Sequence, residues 1–131
     1  MTKNKGSGII FIAGNKVLLL QNPKKIWEIP GGKKDKNEDY FSGAQRETAE
    51  ELGKCPEFKL FGDFTHENKK NKFKIYFGKV KRPFVCRLSD EHLAYKWCDI
   101  NDLPQPIHKK IAGALDFLKR NMLAVNNINS I

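Results

Sequence analysis

The stretch from Gly32 to Gly53 carries glycine, acidic and basic residues at set intervals. Its seven marked positions are Gly32, Glu38, Arg46, Glu47, Glu50, Glu51 and Gly53. With about one chance in twenty at each position, a random match is on the order of 10⁻⁹ per window. The spacing is therefore a constraint on local structure and chemistry, and not an accident of composition.

The centre of this stretch has the periodicity of an α-helix. Apolar or small residues return every three or four positions at Phe41, Ala44, Thr48 and Leu52, which places them on one face of a helix. Gly53 stands where a glycine in the left-handed conformation commonly ends a helix. The pattern predicts a helix over residues 39–52.

The acidic residues of this helix lie on one side of it. Glu47, Glu50 and Glu51 are related by three and four positions, so they share an arc of about 100°. Taken alone, such a triplet is more often a solvated surface stripe, but the spacing around it favours a binding site. Crowded carboxylates repel one another, and a divalent cation such as Mg²⁺, completed by substrate phosphates, compensates that repulsion.

The segment from Gly32 to Lys54, 23 of the 131 residues, closely resembles the Nudix box, the loop-helix-loop signature of Nudix hydrolases. The resemblance implies an α+β fold, with an α/β/α sandwich around a central mixed β-sheet. It also implies hydrolysis of the pyrophosphate bond of a nucleoside diphosphate linked to another moiety, X, with Mg²⁺ or Mn²⁺ as the cofactor.

The resemblance also implies a role for each matching residue. Glu47, Glu50 and Glu51 are similar to the metal-binding carboxylates of the family, and the carbonyl of Gly31 is similar to a further ligand. Arg46 is expected to orient these carboxylates, because its guanidinium stays charged.

Three other positions of the box bear on its packing. Glu38 resembles the first glutamate of the family pattern, and we expect it to give structural support. Thr48 stands where a bulky aliphatic residue is usual, and Lys54 replaces an aliphatic residue after the last glycine. These two departures put the packing of the helix in question but change no ligand.

The residue that would take a proton from the attacking water stays open at this point. Glu47, Glu51 and a loop carboxylate are the candidates. Related enzymes often bring one more carboxylate from the loop before a strand with a Trp, and here Glu91 precedes Trp97 by six residues. An ordinary exposed glutamate is an equally good reading of Glu91.

The Gly31-Gly32 pair is flanked by candidates for substrate binding. Lys33 and neighbouring lysines are placed to hold a polyphosphate, although a solvated basic loop has the same sequence. Trp27 is mainly a core residue by composition, with contact to a nucleobase as the alternative. The predicted substrate-binding residues are Gly31, Gly32, Lys33 and Trp27.

The rest of the chain alternates apolar strands with turns and ends in a second helix. Strands are predicted over residues 8–13, 17–20, 26–29, 58–64, 73–80 and 95–98, with the polar stretch 66–72 as a hairpin loop. Pro104 and Pro106 are predicted to open the final helix. We expect one domain over residues 1–131, with 1–6 and 125–131 as flexible ends.

The charge of +9, from 24 Lys and Arg against 15 Asp and Glu, favours partners that carry phosphate. It does not separate a nucleotide from RNA, and the basic, aromatic-rich run 69–82 is compatible with an RNA backbone. Simple alternation, with aromatic side chains inward and lysines outward, also explains that run.

The cysteines and histidines predict no further site. The three cysteines include no closely spaced pair, which argues against a disulfide framework or a zinc knuckle. His66, His92 and His108 lie far apart in sequence, so we assign none of them to a metal. No apolar run near the start has the length of a signal or membrane segment, and we expect a cytoplasmic protein without a membrane partner.

The sequence therefore predicts a Mg²⁺-dependent, MutT-like pyrophosphohydrolase. Its substrate is a small nucleotide, either a nucleoside triphosphate or a diphosphate such as ADP-ribose. One alternative is an enzyme acting on the 5′ end of RNA, and another is a nucleotide or nucleic-acid sensor that keeps the fold without turnover. The oligomeric state is open between monomer and homodimer.

Overall fold

The structure, a computed structural model, describes residues 3–129, and the side chains of residues 3–121. The described residues form seven strands and two helices. The strands are β1 (Asn4–Ala13), β2 (Lys16–Gln21), β3 (Trp27–Glu28), β4 (Gly31–Lys33), β5 (Lys59–Glu67), β6 (Asn71–Lys79) and β7 (Ala94–Asp99); the helices are α1 (Tyr40–Leu52) and α2 (Lys109–Asn129).

The strands form one mixed sheet with β1 near its centre. The order is β3-β2-β1-β6-β5, with β4 paired to β1 and β7 paired to β2. The long pairing of β1 with β6 is parallel, whereas the hairpin of β5 and β6 is antiparallel. The mixed sheet and the two helices confirm the predicted α+β fold.

Alternate residues of β1 supply the cores on the two faces of the sheet. Ile10 and Ile12 pack in a cluster with residues of α2 such as Ile111. Ile9 and Phe11 point to the other face and pack with Ala44 and other residues of α1. Because a strand directs successive side chains to opposite faces, β1 is apolar throughout, and the result is an α/β/α sandwich.

One edge of β1 is shared by two partners, and this arrangement positions the Gly-Gly pair. Near its end β1 pairs with β2 through Ile12 and Ala13, while nearer its start it pairs with β4 through Gly6–Gly8. A β-carbon on Gly31 would stand 2.5 Å from the carbonyl oxygen of Ser7. Only glycine allows this approach of the two backbones, which places β4 beside α1.

The start of the chain differs from the prediction of a flexible end over residues 1–6. Asn4, Lys5 and Gly6 belong to β1 and pair with β6, and Gly6 also pairs with β4. Strands β6 and β4 lie on the two sides of this segment, so its backbone N–H and C=O groups form hydrogen bonds within the sheet. Residues 1–2 lie outside the described part of the chain.

The β5–β6 hairpin is longer than predicted. The strands extend to Glu67 and from Asn71, so much of the polar stretch 66–72 lies in the sheet. The side chain of Asn68 accepts from the backbone N–H groups of Lys70 and Asn71. This local bonding closes a short turn, which polarity alone does not reveal.

The second helix begins later than the prolines suggest. Trp27 N–H donates to the carbonyl of Pro106, and His108 N–H donates to the carbonyl of Trp27. The segment that holds Pro106 is thus paired with β3, and α2 begins at Lys109. It continues to Asn129. The flexible end over residues 125–131 stays a prediction, and residues 130–131 lie outside the described part of the chain.

Two simpler expectations concern the cysteines and the membrane. Cys55, Cys86 and Cys98 are all free thiols, which agrees with the absence of a disulfide framework. Across residues 3–129, neither helix combines the length and apolar character that crossing a bilayer requires.

Candidate active site

Helix α1 is set firmly at both of its ends and along its buried face. The Asp39 side chain accepts from Ser42 N–H at 2.7 Å and caps the first turn. Gly53 has φ of 91° and its N–H donates to the carbonyl of Ala49. Thr48 is fully buried, and its hydroxyl donates to the carbonyl of Ala44 at 2.7 Å, so the departure at this position leaves no unsatisfied polar group.

The Gly-Gly pair of β4 receives two carboxylates of α1. The Gly31 N–H donates to Oε1 of Glu51 at 2.6 Å. A β-carbon on Gly32 would stand 2.7 Å from Cδ of Glu47, so this carboxylate lies directly against the glycine backbone. The absence of side chains at Gly31 and Gly32 therefore forms a cradle for Glu47 and Glu51.

Arg46 joins the remaining acidic residues into one network. Its guanidinium donates to both carboxylate oxygens of Glu38, at 2.7 and 3.1 Å. Its Nη1 donates to Glu47 at 3.2 Å and to Glu50 at 3.0 Å. Its Nη2 also donates to the carbonyl of Lys33 at 3.2 Å, which ties the network to β4.

Within the network, Glu38 and Arg46 form an ion pair whose role differs from that of Glu47, Glu50 and Glu51. Hydrogen bonds from Arg46 and then from the Asp35 backbone lower the pKa of Glu38 to about 2. The same contact with Glu38 raises the pKa of Arg46. Glu38 is thus an ionised anchor for Arg46, which agrees with the structural support predicted for it.

Glu47 and Glu51 are in the opposite electrostatic state. Burial, followed by the nearby charge of Glu50, raises the pKa of Glu47. Burial raises the pKa of Glu51 to about 8, with the charges of Glu47, Glu91 and Glu28 adding to it and the Gly31 hydrogen bond opposing it. Among the described residues no lysine or arginine pairs with Glu51, and the single bond from Arg46 to Glu47 leaves the pKa of Glu47 raised.

The raised pKa values of Glu47 and Glu51 indicate whether this acidic group fits a divalent cation. Mg²⁺ and Mn²⁺ take hard oxygen ligands, and the partly buried carboxylates of Glu47 and Glu51 supply them beside the exposed carboxylate of Glu50. Burial and then the repulsion between carboxylates raise these pKa values, and a bound cation offsets both by stabilising the ionised form. The donor set therefore fits the cation that the box implies.

A second group at the site includes a histidine that the sequence assigns to nothing. Donor atoms of Glu28, Glu51 and His92 all lie within 4.8 Å of one another. His92 Nε2 is 2.8 Å from Glu28 Oε2, and its Nδ1 is 3.5 Å from Glu51 Oε2. Sequence reasoning misses the group because its members come from β3, α1 and the loop before β7.

Glu28 is ionised in this group. Burial acts to raise its pKa, but hydrogen bonds from His92 and Asn22 leave the pKa lowered. An ionised carboxylate only accepts hydrogen bonds, so His92 Nε2 is the donor. Among the described residues, His92 Nδ1 is the one buried side-chain polar atom that lacks a hydrogen-bond partner.

The other predicted site residues are placed as follows. Glu91 is exposed, and its charge raises the pKa values of both Glu47 and Glu51, so the loop lies near the box. Trp27 packs against the core on the α2 side. Trp97 donates from Nε1 to the carbonyl of Phe84 and is structural.

A basic cavity opens beside the box. It has a volume of about 480 Å³ and is lined by Gly32 and Lys33 together with residues from the start of β1, the β5–β6 hairpin and the start of α2. Histidines and lysines dominate this lining. Lys72 and Phe73 of this lining belong to the basic run 69–82, whereas Lys5, His66, His108 and Lys110 are lining residues that the sequence analysis does not select.

Lys72 also belongs to a second basic cluster around Tyr40. The ammonium groups of Lys34, Lys72 and Lys74 lie 5.6 to 5.7 Å from the centre of the Tyr40 ring. Three like charges around one ring repel one another and attract an anion. The cavity and this cluster share Lys72, so together they form one continuous basic surface.

Comparison with known proteins agrees with this geometry. A family model described as the NUDIX domain matches residues 2–120. The chain is 35% identical over 100 residues to an 8-oxo-dGTP diphosphatase of Buchnera aphidicola, covering 72% of this chain and 75% of that protein. It is 32% identical over 111 residues to the asymmetrical bis(5′-nucleosyl)-tetraphosphatase of Caenorhabditis elegans, covering 75% and 80%.

Solved structures share the fold. A crystal structure of a C. elegans Ap4A hydrolase binary complex has a TM-score of 0.71 at 25% identity, over 95% of this chain and 98% of that one. The solution structure of the Escherichia coli ORF135 protein has a TM-score of 0.73 at 23% identity, over 95% and 94%.

Proposed function

The chain belongs to the Nudix family of hydrolases, and we propose that it cleaves a pyrophosphate bond in a nucleotide that carries three or more phosphates in a row. Water attacks phosphorus, with Mg²⁺ or Mn²⁺ as the cofactor. The observation that carries the proposal is the pair of partly buried carboxylates with raised pKa values, Glu47 and Glu51, held on the Gly31-Gly32 backbone beside a basic cavity.

In this proposal Glu47, Glu50, Glu51 and the carbonyl of Gly31 hold the cation. A bound divalent cation lowers the pKa of a water ligand and neutralises charge on the phosphates. Arg46 keeps Glu47 and Glu50 side by side, because one nitrogen of its guanidinium bonds both carboxylates. Glu38 and the Lys33 carbonyl hold Arg46 from the other side.

We assign the general base to Glu91. Glu47 is bonded to Arg46, and Glu51 accepts from Gly31 and faces His92. Within residues 3–121, no hydrogen bond or ion pair engages the carboxylate of Glu91, although it lies near both. It is therefore the carboxylate of this group that is free to accept a proton from water.

The substrate class follows from charge and from the relatives. Lys5, Lys33, Lys72, Lys109 and Lys110 line the cavity, and each further phosphate of a substrate adds negative charge for them to bind. The two similar proteins named above act, by their names, on a nucleoside triphosphate and on a dinucleoside tetraphosphate. Both substrates carry longer phosphate chains than ADP-ribose.

A dinucleoside tetraphosphate is the second candidate within this class. The lysine cluster around Tyr40 lies next to the cavity and shares Lys72 with it. A substrate with a nucleoside at each end of its phosphate chain would occupy both places, whereas a nucleoside triphosphate would need only one.

A substrate panel tests the proposal. The purified protein is incubated with Mg²⁺ or Mn²⁺ and dGTP, 8-oxo-dGTP, diadenosine tetraphosphate, ADP-ribose or 5′-triphosphorylated RNA, and products are resolved by chromatography. The proposal expects kcat/KM for a tri- or tetraphosphate to exceed that for ADP-ribose at least tenfold. A preference for ADP-ribose or RNA contradicts it, and tight binding without turnover supports a sensor instead.

A further inference from the structure

His92 lies at the centre of a contact between three elements of the fold. Its side chain is 2% exposed, although the residue belongs to the loop just before β7. Glu28 of β3 is on one side of the imidazole ring, and Glu51 of α1 is on the other. Burying a polar imidazole ring costs free energy unless its nitrogens have partners. The two carboxylates beside the ring, one of them in the box, therefore indicate a role for His92 other than packing.

The side of the ring that faces Glu28 is firmly held. His92 Nε2 donates to Glu28 Oε2 at 2.8 Å. The other oxygen of Glu28 accepts from the amide of Asn22 at 3.0 Å, and Glu28 itself pairs with Leu20 of β2. These contacts fix the ring in one orientation, with Nδ1 directed away from Glu28.

The opposite edge of the ring meets the box. Glu51 Oε2 lies 3.5 Å from Nδ1, while Glu51 Oε1 accepts from the Gly31 N–H. The Glu51 carboxylate is thus confined by β4 at one oxygen and by the histidine at the other.

The backbone of the same loop is attached to α1. Ser89 N–H donates to the carbonyl of Glu51, and Leu93 N–H donates to the carbonyl of Gln21. Between these two attachments lie Glu91 and His92. The buried His92 ring adds a third attachment of this loop, directly next to Glu91.

We propose that His92 is a positioning residue, which orients the Glu51 carboxylate for the cation and holds Glu91 beside it. Glu28 acts through His92 by fixing its ring. The inference rests on the proposed function of the site, but it concerns how the chain arranges its own carboxylates, which metal binding measures without any substrate.

The decisive variant is His92→Gln. The amide nitrogen of glutamine reaches the position of Nε2, so the bond to Glu28 is kept, but no group remains at the position of Nδ1. The matched variant is His92→Asn, whose amide lies near Nδ1 and cannot reach Glu28. Each change preserves polarity at a buried position, and thermal unfolding verifies that both proteins are folded.

Mn²⁺ binding to the substrate-free protein, followed by electron paramagnetic resonance, is the first measurement. Loss of a residue that orients a metal ligand costs 10- to 100-fold in affinity. We expect His92→Gln to weaken Mn²⁺ binding about tenfold and to lower kcat more than it raises KM. His92→Asn should retain more of the affinity, because the edge that faces Glu51 is kept.

Glu28→Gln completes the test through a double-mutant cycle with His92→Gln. If Glu28 acts through His92, the effect of the pair on Mn²⁺ affinity is smaller than the sum of the two single effects. Wild-type Mn²⁺ affinity in His92→Gln, or strictly additive effects in the pair, overturns the proposal. Weakened Mn²⁺ binding in a protein that hydrolyses no nucleotide leaves the positioning role intact and rejects the proposed function alone.

Discussion

Glu47 lies against Gly32 so closely that a β-carbon on the glycine would come within 2.7 Å of its carboxylate carbon. The two residues belong to different elements, α1 and β4, and no side chain separates them. The contact of the glycine with Glu47 thus limits how closely α1 approaches the sheet. The contact joins the loop half of the box to its helical half.

Gly32→Ala tests that contact. The added methyl group meets the end of a flexible side chain, so we expect the fold to persist and Glu47 to move. We expect kcat to fall about tenfold or more, since a displacement near 1 Å at a reacting group has effects of this size. Steady-state kinetics and thermal unfolding measure the two effects separately.

Gly62→Ala is the matched control for this change. Its β-carbon would meet only the ring of Phe77, at 3.3 Å, in a part of the sheet away from the box. Wild-type kcat in Gly62→Ala is expected. An equal loss of activity in the two variants would mean that Gly32 acts through general sheet stability, and the role given to its contact with Glu47 would have to be abandoned.

Arg46→Lys tests the network that holds the carboxylates. A lysine keeps the charge but cannot bond Glu38 through two nitrogens while also reaching Glu47 and Glu50. We expect kcat/KM to fall roughly 10- to 100-fold, the range found when a group that orients metal ligands is lost. Full activity in Arg46→Lys would show that charge alone, without the forked geometry, is sufficient.

Glu50→Gln tests the proposed cation ligands. The change removes one negative charge and leaves the side chain nearly the same size. We expect nearly all turnover to be lost at saturating Mg²⁺, and we expect Mn²⁺ binding to weaken. Asp116→Asn, which removes an exposed carboxylate paired with Arg120 on α2, is the control and should keep wild-type kinetics; an unaffected Glu50→Gln would remove Glu50 from the ligand set.

The raised pKa of Glu51 predicts how stability depends on pH without metal. The folded-state pKa of about 8 exceeds the ordinary carboxyl value near 4.3, so the folded protein binds more protons between these limits. Stability in EDTA should therefore decrease as pH rises from 5 to 8, by about 3 to 4 kcal/mol for this group alone. The lowered pKa of Glu38 acts only below this window.

Urea denaturation at pH 5 and pH 8 measures that trend. Glu51→Gln should be less sensitive to pH across the window, because the group that titrates is gone. Added Mg²⁺ should restore stability at pH 8. A wild-type protein that is equally stable at both pH values in EDTA would argue against a strongly buried, protonated Glu51.

Lys72→Gln tests the basic surface where the cavity and the Tyr40 cluster meet. The lysine binds substrate phosphate in our proposal and forms no hydrogen bond or ion pair with Glu47, Glu50 or Glu51, so KM should rise several-fold with little change in kcat. The rise should be larger for a tetraphosphate than for a triphosphate. Lys59→Gln, at the exposed start of β5, is the control; equal KM values for Lys72→Gln and Lys59→Gln would exclude this surface.

The sequence predicts the local parts of this protein well. The helix from its periodicity, its cap at Gly53 and the strands of the first hairpin all follow from patterns within a few residues of one another. Arg46 and Glu50 are one turn apart on α1, so their contact also follows from spacing alone. The box is a local motif, which is why its chemistry is readable from the chain.

The parts that the sequence does not reveal depend on residues far apart in the chain. His92 and Glu28 are 64 residues apart in sequence, and no known spacing of metal ligands predicts a contact between them. The prolines before α2 suggest an early helix start, but pairing with Trp27 holds that segment in the sheet. Cavity residues such as His66 and His108 come together only through the β5–β6 hairpin and α2.

The parallel pairing of β1 with β6 has a consequence for biosynthesis. Asn4–Ile12 lie beside Asn71–Lys79, and the whole box lies between them in sequence. Such distant pairing is slow to form, and a nascent chain that has emerged only as far as Gly53 lacks the strand against which β1 is aligned. The box is thus translated before β6, and the sheet around β1 stays incomplete until Asn71–Lys79 have left the ribosome.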